Sequence, residues 1–201
     1  MKTDDLFKEK SKDWDKGDVQ VNGAKVIADA IKEQVALSND MELIDFGVGT
    51  GLLGFEIAKS IKQMHGVDIS QSMLEKLKAK NSNELNIIPY YQDIIKNPLD
   101  DIFDGLISSM TLHHVEDLKL FFETIHKNIK DDGFIAIADL ETEDGTFHSD
   151  NTGVFHFGFN KDELISIVKN SGFKNIKFEN INTINKPQRD FGVFLLTAFK
   201  D

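Results

Sequence analysis

A short apolar run that changes at once into a glycine-rich turn constrains this chain most. The apolar run consists of Leu43, Ile44 and Phe46. It predicts a strand that is covered on both faces of a sheet. The turn holds Gly47, Gly49 and Gly51. Glycines allow backbone angles and a close ligand approach that a Cβ atom would block. Because residues 52–58 then follow with helical apolar spacing, we predict a strand, a turn and a helix. Such a turn would point free backbone N–H groups into a crevice at the carboxyl end of a strand.

Two cofactors fit such a turn. Gly49, Gly51 and Gly54 satisfy the dinucleotide pattern G-x-G-x-x-G, which alone is a weak signal. Asp45 argues against a dinucleotide, because a carboxylate two residues before Gly47 would repel a pyrophosphate and attract a cation. S-adenosylmethionine has no phosphate and carries a sulfonium and an ammonium group. An acidic residue followed by G-x-G-x-G resembles motif I of the class I S-adenosylmethionine-dependent methyltransferases. An NAD-dependent oxidoreductase remains an alternative at this point.

Composition narrows the kinds of partner. A chain of 201 residues fits one domain, which we expect to span 1–201, with an N-terminal helical cap or lid over 1–38 and a core over 40–200. The net charge of −11 disfavours nucleic acid as a partner. No apolar run approaches the ~20 residues of a membrane span, so we expect no membrane partner. The chain has no cysteine, which fits a cytoplasmic location. The sequence does not fix the oligomeric state.

Two further acidic positions extend the resemblance. Asp68 ends a predicted strand over 64–67, near the distance from the turn at which an acidic residue meets a ribose in such folds. Its carboxylate can accept from both ribose hydroxyls, and Ile69 follows it in the candidate cofactor site. In the methyltransferases an Asp after the third strand contacts the adenine amino group, and the next backbone N–H faces the ring. Asp93 and Ile94 match those two positions.

The run F-D-x-x-x-S-x-x-x-L-H-H begins at Phe103 and resembles the fourth motif of small-molecule members of the family. It differs from the Asn/Asp-Pro-Pro-Tyr signature of enzymes that methylate DNA bases or protein glutamine. The strand would end beside the reactive methyl group of the cofactor, which places Ser109 in the candidate cofactor site and His113 near the acceptor.

The remaining pattern predicts the fold class. Helices are predicted over 19–37, 71–80, 116–130 and 161–170, and later strands over 103–107, 134–140, 173–182 and 191–200. Residues 131–133 are predicted to form a turn, and Ser70 and Asn160 to cap helices. The family resemblance implies an α/β fold, a Rossmann-like doubly wound, seven-stranded, mostly parallel sheet with an antiparallel last strand.

The candidate acceptor site is a loop over 141–160, which carries His148, His156 and four phenylalanines. Aromatic walls with a few polar groups suit a small organic substrate. His113, His148 and His156 are the candidate general bases, because imidazole titrates near neutral pH. For any single residue of this loop, core packing or a turn cap is the favoured interpretation, whereas the loop as a whole is the best candidate for the substrate site. Acidic residues near 139–144 could bind a cation, but we expect no metal.

The sequence therefore predicts a methyltransferase that transfers a methyl group from S-adenosyl-L-methionine to a small-molecule acceptor and releases S-adenosyl-L-homocysteine. Two alternatives stay open, an NAD-dependent oxidoreductase and a non-catalytic S-adenosylmethionine-binding regulatory protein. The sequence does not identify the acceptor or its nucleophilic atom. Residues 1–18 are read either as a solvated arm with Trp14 against the domain or as a lid over the cofactor.

Overall fold

The computed structural model describes residues 5, 7–83 and 85–201. The first four residues and Leu6 of the predicted cap, together with Glu84, lie outside the described residues. The helices are α1 Asp18–Gln34, α2 Leu52–Ala58, α3 Gln71–Lys80, α4 Leu118–Asn128 and α5 Lys161–Asn170. The strands are β1 Glu42–Phe46, β2 Gln63–Asp68, β3 Ile87–Tyr91, β4 Phe103–Ser109, β5 Ile129–Leu140, β6 Phe173–Lys186 and β7 Arg189–Lys200. Short 3-10 turns cover Lys10–Lys12, Trp14–Lys16 and Leu112–His114.

The seven strands form one sheet in the order β3-β2-β1-β4-β5-β7-β6. The pairs among β1 to β5 are parallel, and β7 runs antiparallel to both β5 and β6. The predicted fold class is therefore confirmed, including the antiparallel last strand. The strand order reverses between β1 and β4, and open α/β sheets bind ligands beyond the carboxyl ends of strands at such a point.

Two apolar cores cover the two faces of the sheet. On one face α1 buries Ala24, Ile27, Ala28 and Ile31, a set whose spacing gives a helix one apolar side. On the other face α4 buries Phe121, Phe122 and Ile125. The predicted caps form, since Ser70 Oγ accepts from Met73 N at 3.3 Å and Asn160 accepts from Asp162 N at 3.0 Å. The helices packed on the two faces fix the position of the sheet, including the carboxyl ends of its central strands.

Three boundaries differ from the sequence prediction. Helix α4 is shorter than 116–130, because Asp117 caps it by accepting from Leu120 N at 2.9 Å. Strand β5 starts at Ile129 and runs through the predicted turn, where Asp132 has a φ of 62° and the pairing with β4 shifts register. Strands β6 and β7 are longer than predicted, and only two residues separate them. The hydrogen-bonded ladder continues through the pair of Ile184 with Phe191, and both side chains pack in the apolar core. Among the described residues, we find no helix that is both long and apolar enough to cross a membrane.

Candidate active site

A cavity of about 880 Å³ lies beyond the carboxyl ends of β1, β2 and β4. Its walls also include the N-terminal segment, the loop after β5, and the β6–β7 pair. Ligand cavities in proteins usually measure roughly 300–1,000 Å³, so the volume suits a cofactor together with a small second molecule. The cavity stands at the point where the strand order reverses, which is where the sequence places the glycine turn.

The glycine turn adopts left-handed backbone angles, with φ of 68° at Gly47, 54° at Gly49 and 87° at Gly51. Its N–H groups are not free as predicted. Gly47 N and Val48 N donate to Val67 O at 2.9 and 3.1 Å, and Gly49 N donates to Asp68 Oδ2 at 2.8 Å. These N–H groups of the turn are therefore hydrogen-bonded to β2. This corrects the prediction that the turn has free N–H groups.

A Cβ atom at Gly49 would project into open space, since the nearest atom, Gly47 O, lies 4.0 Å away. The space beside Gly49 is therefore cavity that a ligand can approach. Gly51 does not line the cavity, and its left-handed φ instead serves as the N-terminal boundary of α2. The glycines thus divide into positions that face the cavity and one that starts the helix.

Asp45 lines the cavity but is only 2% exposed. Its Oδ2 atom has no hydrogen-bond partner among the described residues. Burial, and next the negative charge of Asp68, raise the pKa of Asp45 well above its ordinary value. A nearby cation would stabilise the charged form of this buried carboxyl group, and cation binding at Asp45 stays a prediction.

Asp68 lines the cavity at the end of β2. Its Oδ2 accepts from Gly49 N at 2.8 Å and its Oδ1 accepts from Ser70 N at 2.7 Å. Burial raises the pKa of Asp68, and these hydrogen bonds counteract part of that effect. Each carboxylate oxygen has a second lone pair, so Asp68 can still accept from two hydroxyl groups.

The other predicted cofactor residues differ in whether they line the cavity. Ile69 and Ser109 line the cavity, and Ile69 is 61% exposed. Asp93 also lines it, but its carboxylate already pairs with Lys96 Nζ at 2.7 Å. The side chain of Ile94 is fully buried in the core, and its neighbour Ile95 is the one that lines the cavity.

The N-terminal segment covers the cavity, with Phe7, Lys10, Asp13 and Trp14 in its lining. Asp15 anchors this segment, because it accepts from Thr50 Oγ1 at 2.5 Å and from Lys80 Nζ at 2.8 Å. Asp5 binds the start of α3 through Ser70 Oγ at 2.8 Å. The segment thus packs on the domain beside the glycine turn, and its action as a lid stays a prediction.

His113 and Asp139 form a buried pair, and His113 lines the cavity. His113 Nδ1 lies 2.8 Å from Asp139 Oδ1, and His113 N donates to Asp139 Oδ2 at 3.1 Å. Burial by itself raises the pKa of Asp139, but the charge of the His113 ring and the hydrogen bonds outweigh it and hold this pKa below its ordinary value. His113 Nε2 has no partner among the described residues. A carboxylate behind Nδ1 is one part of the arrangement that orients a general base, and Nε2 itself is buried.

Two more histidine rings adjoin His113. The ring centroids of His114 and His148 lie 4.2 and 5.0 Å from that of His113. Burial and then the neighbouring His113 ring lower the pKa values of both His114 and His148 to about 4. His114 Nδ1 lies 2.6 Å from Gly153 O, and Nε2 of His148 is buried without a partner among the described residues. These two rings are therefore neutral near pH 7, and weak as bases.

His156, the third predicted base, does not line the cavity. Its Nε2 lies 2.8 Å from Val115 O, and its ring packs against Phe159 at 5.3 Å. It fixes the loop after β5 to the chain before α4. The prediction for His156 rested on residue type within a loop, and its contacts correct that prediction to a structural role.

Sequence reasoning missed three residues of the site. Asp139 was considered only as a cation ligand, although its position at the end of β5 already placed it beside the end of β4. Lys10 and Lys186 line the cavity, and nothing in their local sequence indicates this. Within the described part of the chain, no cluster of three or more His, Cys, Asp or Glu side chains is arranged to hold a metal ion.

Comparison with known families gives a match over residues 37–175 to a methyltransferase domain model. An uncharacterized methyltransferase of Schizosaccharomyces pombe is 30% identical over 171 residues, which cover 76% of this chain and 58% of that protein. A malonyl-[acyl-carrier protein] O-methyltransferase of Bacillus anthracis is 22% identical, over 62% of this chain and 47% of that protein. The chain thus spans about half the length of these curated relatives.

Solved structures share the fold at low identity. A chain from the complex between the Haloferax volcanii Trm112 methyltransferase activator and a methyltransferase has a TM-score of 0.80 at 15% identity, covering 98% of both chains. The Haemonchus contortus phosphoethanolamine N-methyltransferase 2 in complex with S-adenosyl-L-methionine has a TM-score of 0.70 at 17% identity, covering 96% of this chain and 60% of that one. At these identities the likeness concerns the fold alone.

Proposed function

Because the chain belongs to the methyltransferase domain family, we propose that it transfers a methyl group from S-adenosylmethionine to a small-molecule acceptor. Family membership confirms the predicted class of enzyme and its methyl donor, and it decides against the NAD-dependent oxidoreductase. The observation that carries the acceptor chemistry is the unpartnered Nε2 of His113, held by Asp139 on the wall of the cavity.

The residues around the glycine turn fit the cofactor. Asp45 has a buried oxygen without a hydrogen-bond partner among the described residues, Gly49 leaves open space, and Asp68 lines the cavity with acceptor capacity left on its carboxylate. Asp93 and the backbone of Ile94 are proposed at the adenine end, with Ile69 and Ser109 along the wall. When bound, S-adenosylmethionine supplies an activated methyl group on a sulfonium sulfur. The protein therefore needs mainly to align the acceptor and exclude water.

The three histidines of the acceptor side have different roles in this proposal. His113 is the base, because Asp139 stabilises the imidazolium that forms when Nε2 takes a proton. His114 and His148 have pKa values of about 4 and act as neutral walls and hydrogen-bonding groups. In the reaction an O–H or N–H group of the acceptor gives its proton to His113 Nε2. The electron pair left on that oxygen or nitrogen would then be free to accept the methyl group that S-adenosylmethionine supplies when bound.

A small acceptor is favoured by the walls around His113. Phe147, His148 and Phe155 line the cavity there, and Phe155 N donates to His113 O at 3.0 Å. The N-terminal segment covers the same space through Phe7, whose ring meets His114 edge-on at 5.4 Å. A space with aromatic walls and polar groups among them suits a small organic molecule better than a polymer.

The test is a methyl-transfer screen with S-adenosylmethionine labelled in its methyl group. The acceptors are panels of phenols, alcohols, carboxylic acids and amines, with transfer RNA and total protein as the polymer arms. We expect S-adenosylhomocysteine to bind in calorimetry and label to appear in at least one small molecule. His113→Gln should lose labelling and keep S-adenosylhomocysteine affinity, whereas the control His126→Gln, on α4 outside the cavity lining, should keep both. Label in a polymer alone would overturn the small-molecule proposal.

A further inference from the structure

Charged side chains line both halves of the cavity. The cofactor half holds Asp45, Asp68 and Asp93. The acceptor half holds the carboxylate of Asp150 and two cations, Lys10 from the N-terminal segment and Lys186 from the end of β6. In a chain of net charge −11, cations that face a cavity from two separate segments need a reason.

Lys186 is the better placed of these two cations. Its Nζ donates to the carbonyl oxygen of Phe147 and lies 3.9 Å from the centroid of the Phe147 ring. The Phe191 ring lies 5.8 Å from the same atom. Burial lowers the pKa of Lys186, which means that its ammonium group has lost part of its hydration. A partly dehydrated cation over aromatic rings gains more from an anion than a surface lysine does.

Within the described part of the chain, no carboxylate forms an ion pair with this ammonium group. Among the described residues none lies within 4.0 Å of Lys186 Nζ. Glu143 is close enough to affect its pKa, but Glu143 Oε2 already accepts from Gly145 N at 2.7 Å and Thr146 N at 2.9 Å. On the same strand the exposed Lys177 does form an ion pair, with Glu179 at 2.8 Å. Lys186 differs from it in having no such partner among the described residues.

The contacts also place Lys186 relative to the base. The His113 and His148 rings are 5.0 Å apart, the His148 and Phe147 rings are 4.8 Å apart, and Lys186 lies over Phe147. A wall made of His148 and Phe147 thus separates the proton-accepting nitrogen from the ammonium group. A molecule bound along this wall would have an apolar body with its reacting group at one end and a negative charge at the other.

We propose that Lys186 binds a carboxylate of the acceptor, and that the acceptor is therefore a small organic acid whose O–H or N–H nucleophile is separate from its carboxylate. The inference rests on the proposed function and names its substrate class. Lys186 is a specificity-determining residue in it, and Lys10 adds positive potential on the same side. A carboxylate also occurs on the methionine part of the cofactor, so the test must separate these two sources.

The test uses 4-hydroxybenzoate and its neutral partner 4-hydroxybenzamide as probes. Each is titrated into the full chain saturated with S-adenosylhomocysteine, and binding is followed by calorimetry or by shifts of ligand proton resonances. We expect the acid to bind about ten-fold more tightly than the amide, as is typical of a hydrogen bond to a charged group. Lys186→Gln should abolish the difference, because glutamine can still donate to the Phe147 carbonyl but has no charge.

Two further variants complete the design. Lys186→Arg should retain the preference for the acid, and the control Lys177→Gln on the exposed side of β6 should leave it unchanged. Should Lys186→Gln fail to fold in thermal unfolding, charge reversal of the probe in the native chain, with 4-hydroxybenzylamine, decides the question. That cation should bind more weakly than the amide.

Three outcomes overturn the inference. They are equal binding of acid and amide by the native chain, a preference that survives in Lys186→Gln, and a matching loss of S-adenosylhomocysteine affinity in Lys186→Gln, which would assign Lys186 to the cofactor. Its failure is distinguishable from failure of the proposed function. If label is transferred to neutral acceptors with no preference for acids, only the inference about Lys186 is contradicted. A preference for the acid with no methyl transfer to any small molecule sinks only the function.

Discussion

Asp139→Asn is the sharpest perturbation of the proposed base. Asp139 Oδ1 lies 2.8 Å from His113 Nδ1 and accepts from Leu140 N at 2.7 Å, while Oδ2 accepts from His113 N at 3.1 Å. An asparagine has one oxygen for these three donors. With its amide nitrogen toward His113 Nδ1, the ring must place its proton on Nε2, which then cannot accept one from the substrate.

The magnitude follows from the role of the base. General base catalysis contributes roughly 10²–10⁴-fold, so kcat should fall by that factor, or about 3–5 kcal/mol in activation free energy. With its amide nitrogen toward His113 N instead, the variant leaves a buried backbone donor without an acceptor, which costs about 1–3 kcal/mol of stability. Either orientation also removes the charge that stabilises the imidazolium. The affinity for S-adenosylhomocysteine should stay within about two-fold, because Asp139 contacts none of the proposed cofactor residues.

The assay is steady-state methyl transfer to the best acceptor of the screen, with thermal unfolding and S-adenosylhomocysteine calorimetry alongside. Asp104→Asn is the matched control, since Asp104 also accepts from a backbone N–H, that of Glu42 at 2.8 Å, and lies outside the cavity lining. The control should lose stability without losing kcat. A folded Asp139→Asn with wild-type kcat would refute the assignment of His113 as the base.

Three other perturbations test the site. Asp45→Asn should stabilise the ligand-free protein increasingly as the pH rises above 4 in urea unfolding, because burial raises the pKa of Asp45 and the folded state disfavours the carboxylate; a constant difference across pH would contradict this. Asp15→Ala should speed S-adenosylhomocysteine release a few-fold in stopped-flow experiments, since it removes the bonds to Thr50 and Lys80, and an unchanged release rate would mean that the segment is no lid. Because the pKa of His114 is about 4 in the folded state and about 6.5 in an unfolded chain, its neutral form contributes stability above pH 6.5 that is lost as the pH falls toward 4. His114→Asn should flatten that slope.

The sequence carried enough information for the fold and for the position of the glycine turn and Asp68. Local patterns predicted β1, the glycine turn and Asp68, because each depends on residues close together in the chain. The acceptor half depends on distant pairs. Asp139 meets His113 across 26 positions, and Lys186 meets Phe147 across 39. Single-sequence patterns carry no signal for such pairs, so the base was predicted without its carboxylate and Lys186 was not predicted at all.

The histidines also show what a single sequence does not predict. Residue type made His148 and His156 equivalent candidates, since both lie in one loop with aromatic neighbours. Their contacts separate them, because His148 lines the cavity while His156 binds the Val115 carbonyl. What distinguishes a base from a loop anchor is the partner of each ring nitrogen, and the partner is fixed only when the loop folds back on the end of β4.

The sequence and the structure give different reasons why the glycine turn would suit S-adenosylmethionine better than a dinucleotide. Repulsion of a phosphate by Asp45 is a weak argument on its own, because burial disfavours the charged form of that carboxyl group in the ligand-free protein. The stronger argument is that Gly47, Val48 and Gly49 donate their N–H groups to Val67 and Asp68 of β2. A phosphate-binding turn keeps such donors for its ligand. These donors are used within the protein, so the turn has fewer N–H groups left for a phosphate, and the proposed cationic cofactor is the ligand that would favour the charged form of Asp45.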